Sequence, residues 1–241
     1  MVGLGTMING AAIIVGGLIG RLTGRLIHQE QRDALTKVCG ISVLFIAIAG
    51  AMQGMLQIDA GRIVSGKSML VVLCLALGTV IGELIGIEKG IERFGEWLKK
   101  KSGNSGDKQF VNAFVTTSLT VCIGAMAIVG AMQDGISGDY SILAVKSVLD
   151  FIIVAVMTSS MGKGSVFSAI PVILFEGTVT LLARLVAPIM TEPAVAYLSL
   201  IGSVLIFCVG LNLVWGKKVS VANMLPAVIF AVIAAYIPWT F

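Results

Sequence analysis

AIAGAMQ at residues 47–53 returns as AIVGAMQ at 127–133, with six of seven residues identical. Each copy closes a long apolar run. Each is followed by a polar loop and then by a Lys-Ser pair (Lys67-Ser68, Lys146-Ser147) that opens another apolar run. The pattern reads as a duplicated pair of membrane-spanning helices, with the remaining helices packed around it. Convergent Ala/Gly packing is the plainer alternative, because apolar segments resemble one another easily.

Composition supports the lipid setting. The chain has 241 residues, 57% of them hydrophobic and only 12% charged, and its mean hydropathy is +1.00. A soluble domain carries about 25% charged residues. A spanning helix needs about 20 apolar residues, so there is room for roughly eight spans. The expected class is an all-α, polytopic transmembrane helical bundle with an internal repeat of helix pairs. The spans fall at about 4–22, 38–57, 68–87, 110–133, 143–161, 164–186, 195–215 and 221–240. Together they make one integral membrane domain over 1–241. Three spans and a helix fill 1–101, a flexible loop 102–109, and five spans 110–241.

Between spans three and four, IEKGIERFGEWLKKK (87–101) places Ile87, Ile91, Phe94 and Leu98 at helical spacing, with charges on the other faces. This is an amphipathic helix suited to a membrane surface; a solvated extension of span three fits equally. SGNSGD (102–107) reads as a flexible break. Thirteen of the seventeen basic residues fall in the odd-numbered loops. The positive-inside rule then puts those loops in the cytoplasm and both termini outside. In that topology the two AIxGAMQ copies run the same way across the membrane. The net charge of +4 is explained by this bias, so no nucleic-acid partner is expected.

Ionisable groups inside a span are costly and face a cavity or a partner. Asp150 lies inside span five with Lys146 one turn earlier, close enough to pair. Glu176 lies near the middle of span six. Pro171, five residues before it, marks a helix break, a common layout beside transport sites. Gln53 and Gln133 end the two repeat copies at matching depth, and Asn9 lies in span one. Structural ion pairing explains Asp150 and Lys146 as well as function does, and helix–helix hydrogen bonding is the plain account of the amides. Gly16, Gly17 and Gly20 form a close-packing face. The four Cys all sit in apolar runs and the single His28 in a charged loop, so no metal site is expected. Walker, HExxH and G-x-S-x-G motifs are absent, so neither ATP hydrolysis nor a recognised catalytic site is expected and no cofactor is implied.

GTMINGAAIIVGGLIGRL near the start, the two GAMQ segments, and GLNLVWGKKVSVANMLPA near the end resemble the YdfK/YqgA-like family, a domain of unknown function. The resemblance covers essentially the whole chain. It implies a multi-pass protein of the bacterial inner membrane, of a kind often labelled a transporter, and carries over no substrate and no site residue.

The expected function is a transporter or channel for an ion or small polar solute, associated as a homo-oligomer through its Gly-rich faces. Glu176 and Asp150 would be the charged elements of the route, binding a proton or cation. Gln53, Gln133 and Asn9 would line its outer part. The alternatives are a non-transporting scaffold or regulator and, further off, a lipid-modifying enzyme.

Overall fold

Small residues decide how the apolar helices meet. The computed structural model describes residues 2–237 except 25, 27, 60, 123 and 124. In chain order come α1 (Leu4–Gly24), α2 (Gln29–Met55), β1 (Leu56–Asp59), β2 (Arg62–Ser65), α3 (Ser68–Ile85), α4 (Ile87–Lys101), α5 (Phe110–Cys122), α6 (Ala125–Ser137) and α7 (Ser141–Met161). A 3-10 turn (Lys163–Ser168) leads into α8 (Ala169–Leu181) and the short α9 (Ala183–Val186). Then come α10 (Glu192–Trp215), a second 3-10 turn (Val221–Met224) and α11 (Pro226–Ala234).

Lipid supplies no hydrophobic force between helices, so close backbone approach must hold them. α1 achieves this on α7. A Cβ on Gly16 would lie 2.5 Å from the Phe151 carbonyl oxygen, and one on Gly24 2.9 Å from that of Ser159. Gly20 meets the Ala155 carbonyl between them. Each step of four on α1 matches a step of four on α7, so the two helices run parallel and in register. Gly17 turns the other way, where a Cβ would meet Val166 of the first 3-10 turn at 2.6 Å. α2 lies antiparallel to α10, with Gly40 against Leu213, Gly54 against Leu200 and Gly210 against Leu44. α3 lies antiparallel to the chain's last segment, with Gly78 on Ala227 and Gly82 on Asn223. Outward faces stay apolar, as at Phe45 (70% exposed) and Leu84 (81%), which suits a hydrocarbon solvent.

Among the described residues, six helices are long and apolar enough to cross a membrane: α1, residues 33–55 of α2, α3, α7, the 163–181 segment and α10. A seventh is reached if α5 and α6, which meet at 62°, count as one span. This corrects the expectation of eight among the described residues. The expected fourth span is not one straight helix, and the residues of its break (123–124) lie outside the described set. The last segment, Val221–Ala234, is apolar but shorter than a full span; residues 238–240 of the expected eighth span also lie outside, as does Arg25.

Three further features appear in the loops and the repeat segments. The loop after α2 is an antiparallel hairpin pairing Leu56 with Ser65 through Asp59 with Arg62. The 102–107 stretch is a hydrogen-bonded turn, with the Asn104 amide donating to Ser102 O (3.2 Å) and Oγ (2.9 Å). Across it, α4 packs on α5 through Leu98, Phe110 and Phe114, so the two halves share a core. The repeat copies also have different settings. Copy one sits in the straight helix α2 and packs on α10, whereas copy two lies in α6, where Gly130 meets Ile142 and Leu143. Lys67 precedes α3 with a left-handed φ of 62°, whereas Lys146 lies within α7 and is buried.

The loops gather at two ends. Arg21, Asp107 and Lys163 line one small cleft, and Lys37, Glu88, Lys108 and Lys217 line a larger vestibule. These are the loops that the charge bias groups on one side. Contacts of the opposite loops include the Asp134 carboxylate accepting from Gly3 N and Tyr236 Oη donating to Ile189 O (2.6 Å).

Candidate functional site

α1, α7 and α8 converge on a buried polar cluster. Asn9 of α1 is fully buried, and Lys146, Asp150 and Glu176 are 6%, 4% and 1% exposed. The Asn9 amide donates to Asp150 Oδ2 (3.0 Å) and to Glu176 Oε1 (2.9 Å). Those two acceptors fix the amide's orientation, because the reverse would point its oxygen at two carboxylates. Lys146 pairs with Asp150 one turn along α7 and reaches Glu176 Oε1 at 3.5 Å. It also donates to the Val121 carbonyl at 2.8 Å.

That last bond falls in the final turn of α5. The final carbonyls of a helix have no partner within it and carry the negative end of its dipole. Val121 is the penultimate residue of α5, and the Lys146 ammonium takes up its carbonyl. A buried cation thus supplies a ligand within the last turn of α5.

Three charges and one amide share this space. With all groups ionised the cluster sums to one net negative charge, because one lysine faces two carboxylates. Among the described residues, two buried acceptors, Asn9 Oδ1 and Glu176 Oε2, have no hydrogen-bond partner. A buried acceptor left unsatisfied is costly, so the arrangement is suited to receiving a donor or a positive charge. Thr6 Oγ1 and Thr180 Oγ1 approach to 3.4 Å one turn away, on the same faces of α1 and α8. Among the described residues, no group of three or more His, Cys, Asp or Glu could hold a metal ion.

The structure therefore brings together Asn9, Lys146, Asp150 and Glu176 from the sequence-selected set. It does not bring Gln53 or Gln133 there; both are exposed. Gly16 and Gly20 serve by seating α1 on α7, which carries Asn9 to Asp150. Pro171 is the third residue of α8, which follows directly on the 3-10 turn. Helical structure runs from the 3-10 turn at Lys163 through Pro171 to Leu181, so no break falls at Pro171; Gly162 (φ 105°) only joins this span to α7.

Sequence reasoning missed two parts. Thr6 and Thr180 are legible afterwards, at i−3 from Asn9 and i+4 from Glu176. Asp134 of α6 is fully buried and accepts from Gly3 N (3.1 Å) and Gly5 N (2.9 Å), capping α1. No local signal ties residues so far apart.

Two cavities flank α5, and Leu119 lines both. One, of about 780 Å³, is the polar vestibule with Glu88, Glu92, Lys108, Asn112, Thr116 and Lys217 among its walls. Its rim is a clasp in which Lys217, after α10, pairs with Glu88 and with Glu92 (2.8 Å) of α4. Hydrogen bonding to Glu88, then to Glu92, raises the Lys217 pKa above its ordinary value. The other, of about 520 Å³, is apolar and reaches Cys122.

These features define a multi-pass α-helical membrane protein with an ionisable cluster buried among its helices. The chain belongs to the family described as "Protein of unknown function (DUF554)", whose model matches residues 4–236. It is 28% identical to the uncharacterized protein YqgA of Escherichia coli K12, over 98% of each chain. It is 25% identical to the uncharacterized membrane protein YdfK of Bacillus subtilis 168, over 97% of this chain and 96% of that one. No solved structure matches.

Proposed function

We propose that this protein is a transporter or channel for an ion or small polar solute, and that the Asn9–Lys146–Asp150–Glu176 cluster is the ion-binding element of its route. One observation carries the reading: two buried carboxylates share one lysine, with two neighbouring acceptors unsatisfied. Burying an unbalanced charge is expensive, and such groups inside a span mark ion pathways. The uncompensated charge gives the site use for one proton or one monovalent cation. The vestibule would be its entrance from the cytoplasm.

The remaining parts of the reading are a bacterial inner-membrane location, both termini outside, an internal repeat as the origin of the helix pairs, and homo-oligomeric association. The charge bias supports the orientation.

The test is reconstitution into liposomes under imposed pH, sodium and potassium gradients, with Glu176→Gln and Asp150→Asn alongside. Flux that falls at least tenfold in both variants, with unchanged gel-filtration behaviour, is the expected result. Wild-type flux in both removes the cluster from the route. Absence of flux under any gradient, with a protein partner copurifying in stoichiometric amount, favours a scaffold instead.

A further inference from the structure

α4 carries an excess of basic residues on its outer side. Glu88 and Glu92 pair with Lys217 in the clasp, and Glu96 lies 4.0 Å from Lys99. Lys89, Arg93 and Lys100 are exposed on the outer side beside Trp97, in a groove that Glu92 and Glu96 also line, so the basic residues there outnumber the acids three to two. Trp97 stacks on Phe94 with ring centres 5.7 Å apart, Phe94 tilts against Phe114 at 6.0 Å, and Lys101 lies over the Trp97 ring at 5.5 Å. An aromatic track thus runs from the basic surface of α4 inward.

That track enters the apolar cavity. Gly90, Ile91 and Phe94 of α4 form one wall, facing Phe114, Phe175 and Ile229 among others. Gly90, Phe94, Phe175 and Ile229 are exposed, so the cavity is open on the side where α8 and α11 present apolar residues. In a membrane protein that side faces hydrocarbon. Basic residues beside an interfacial tryptophan attract anionic headgroups. Here the attraction sits at the mouth of a cavity that only an apolar group can fill.

We infer that the outer face of α4 and the cavity behind it bind one anionic phospholipid, with the phosphate at Lys89 and Arg93 and an acyl chain entering past Phe94. The observations that select this occupant are the outward basic charge, the continuity of Trp97, Phe94 and Phe114 into the cavity, and the opening toward lipid. The site requires only that the chain lies in a bilayer and stands whether or not the protein supports flux.

The full-length protein in detergent is titrated with phosphatidylglycerol carrying brominated acyl chains, with brominated phosphatidylcholine as the comparison, and quenching of tryptophan fluorescence is read. Trp97→Phe identifies the Trp97 contribution. Phosphatidylglycerol is expected to quench Trp97 at lower concentration than phosphatidylcholine. Lys89→Gln with Arg93→Gln should weaken phosphatidylglycerol binding roughly 30-fold, the equivalent of about 1 kcal/mol for each basic group lost, and leave phosphatidylcholine unchanged. Gly90→Phe, at a position where an added Cβ meets nothing within 4 Å, fills the mouth and should lower the maximal quenching by both lipids. Gly90→Leu serves as a smaller plug.

Equal affinity for the two lipids, or undiminished phosphatidylglycerol binding by the double variant, overturns the headgroup assignment. Unchanged quenching in both plugged variants overturns the acyl-chain assignment. Displacement of the lipid by inorganic phosphate or glycerophosphoglycerol at comparable concentration makes this a site for a soluble phosphate and overturns the lipid proposal.

Discussion

Lys146→Met removes the only cation from a buried set of two carboxylates. In the wild type its ammonium contacts Asp150, lies 3.5 Å from Glu176 and holds the Val121 carbonyl at 2.8 Å. The variant leaves both acids joined only through the Asn9 amide, and α5 loses the ligand for its last turn. Removing one member of a buried ion pair costs about 3–5 kcal/mol, because the remaining charge stays desolvated. For a chain of this length each kcal/mol moves the melting temperature by about 2–4 °C, so the shift should be roughly 6–20 °C. The assay is thermal unfolding of the detergent-solubilised protein at neutral pH and one fixed scan rate. Charge arithmetic supplies the control. Lys146→Met with Asp150→Asn restores the wild-type total of one net negative charge and should recover at least half of the lost melting temperature. A single variant that melts within 2 °C of wild type, or a double variant no better than the single, would refute the claim that unbalanced charge governs this site.

Other perturbations test the packing and the clasp. Gly20→Leu drives a side chain into the Ala155 carbonyl and should cost about 3 kcal/mol or more; Gly90→Ala, with nothing within 4 Å of the new Cβ, should be neutral or stabilising by about 0.4–1 kcal/mol. Parallel thermal scans of the two variants check both. The Lys217 clasp predicts a pH dependence with a definite sign. Its folded pKa is raised above the unfolded value, so its stabilisation is complete below the ordinary lysine pKa of about 10.4 and declines as pH rises through the folded value. Side-chain exposure of 56% keeps the effect small. Melting curves between pH 9 and 11.5 should show a steeper decline for wild type than for Lys217→Met, and identical slopes would count against the clasp.

Hydropathy and charge placement alone determined that this chain lives in lipid. They also marked most helix positions, including α4 at Ile87–Lys101, and singled out Glu176, Asp150, Lys146 and Asn9. Those signals are local. Apolar runs, a 3.6-residue period and a charge inside a span are each read from one segment of chain. Tertiary structure decided what depends on two segments at once. The GxxxG steps of α1 say that something packs closely, but only the carbonyls of Phe151, Ala155 and Ser159 say that it is α7, running parallel. AIAGAMQ and AIVGAMQ share letters, yet their neighbours differ, and their glutamines end exposed while the unrepeated acids are buried. The bend between α5 and α6 was illegible because both halves are apolar. Beside it, a lysine 25 residues on binds the Val121 carbonyl, a contact that no single segment announces. A desolvated charge must find partners wherever the fold can bring them, and that search runs across the chain rather than along it.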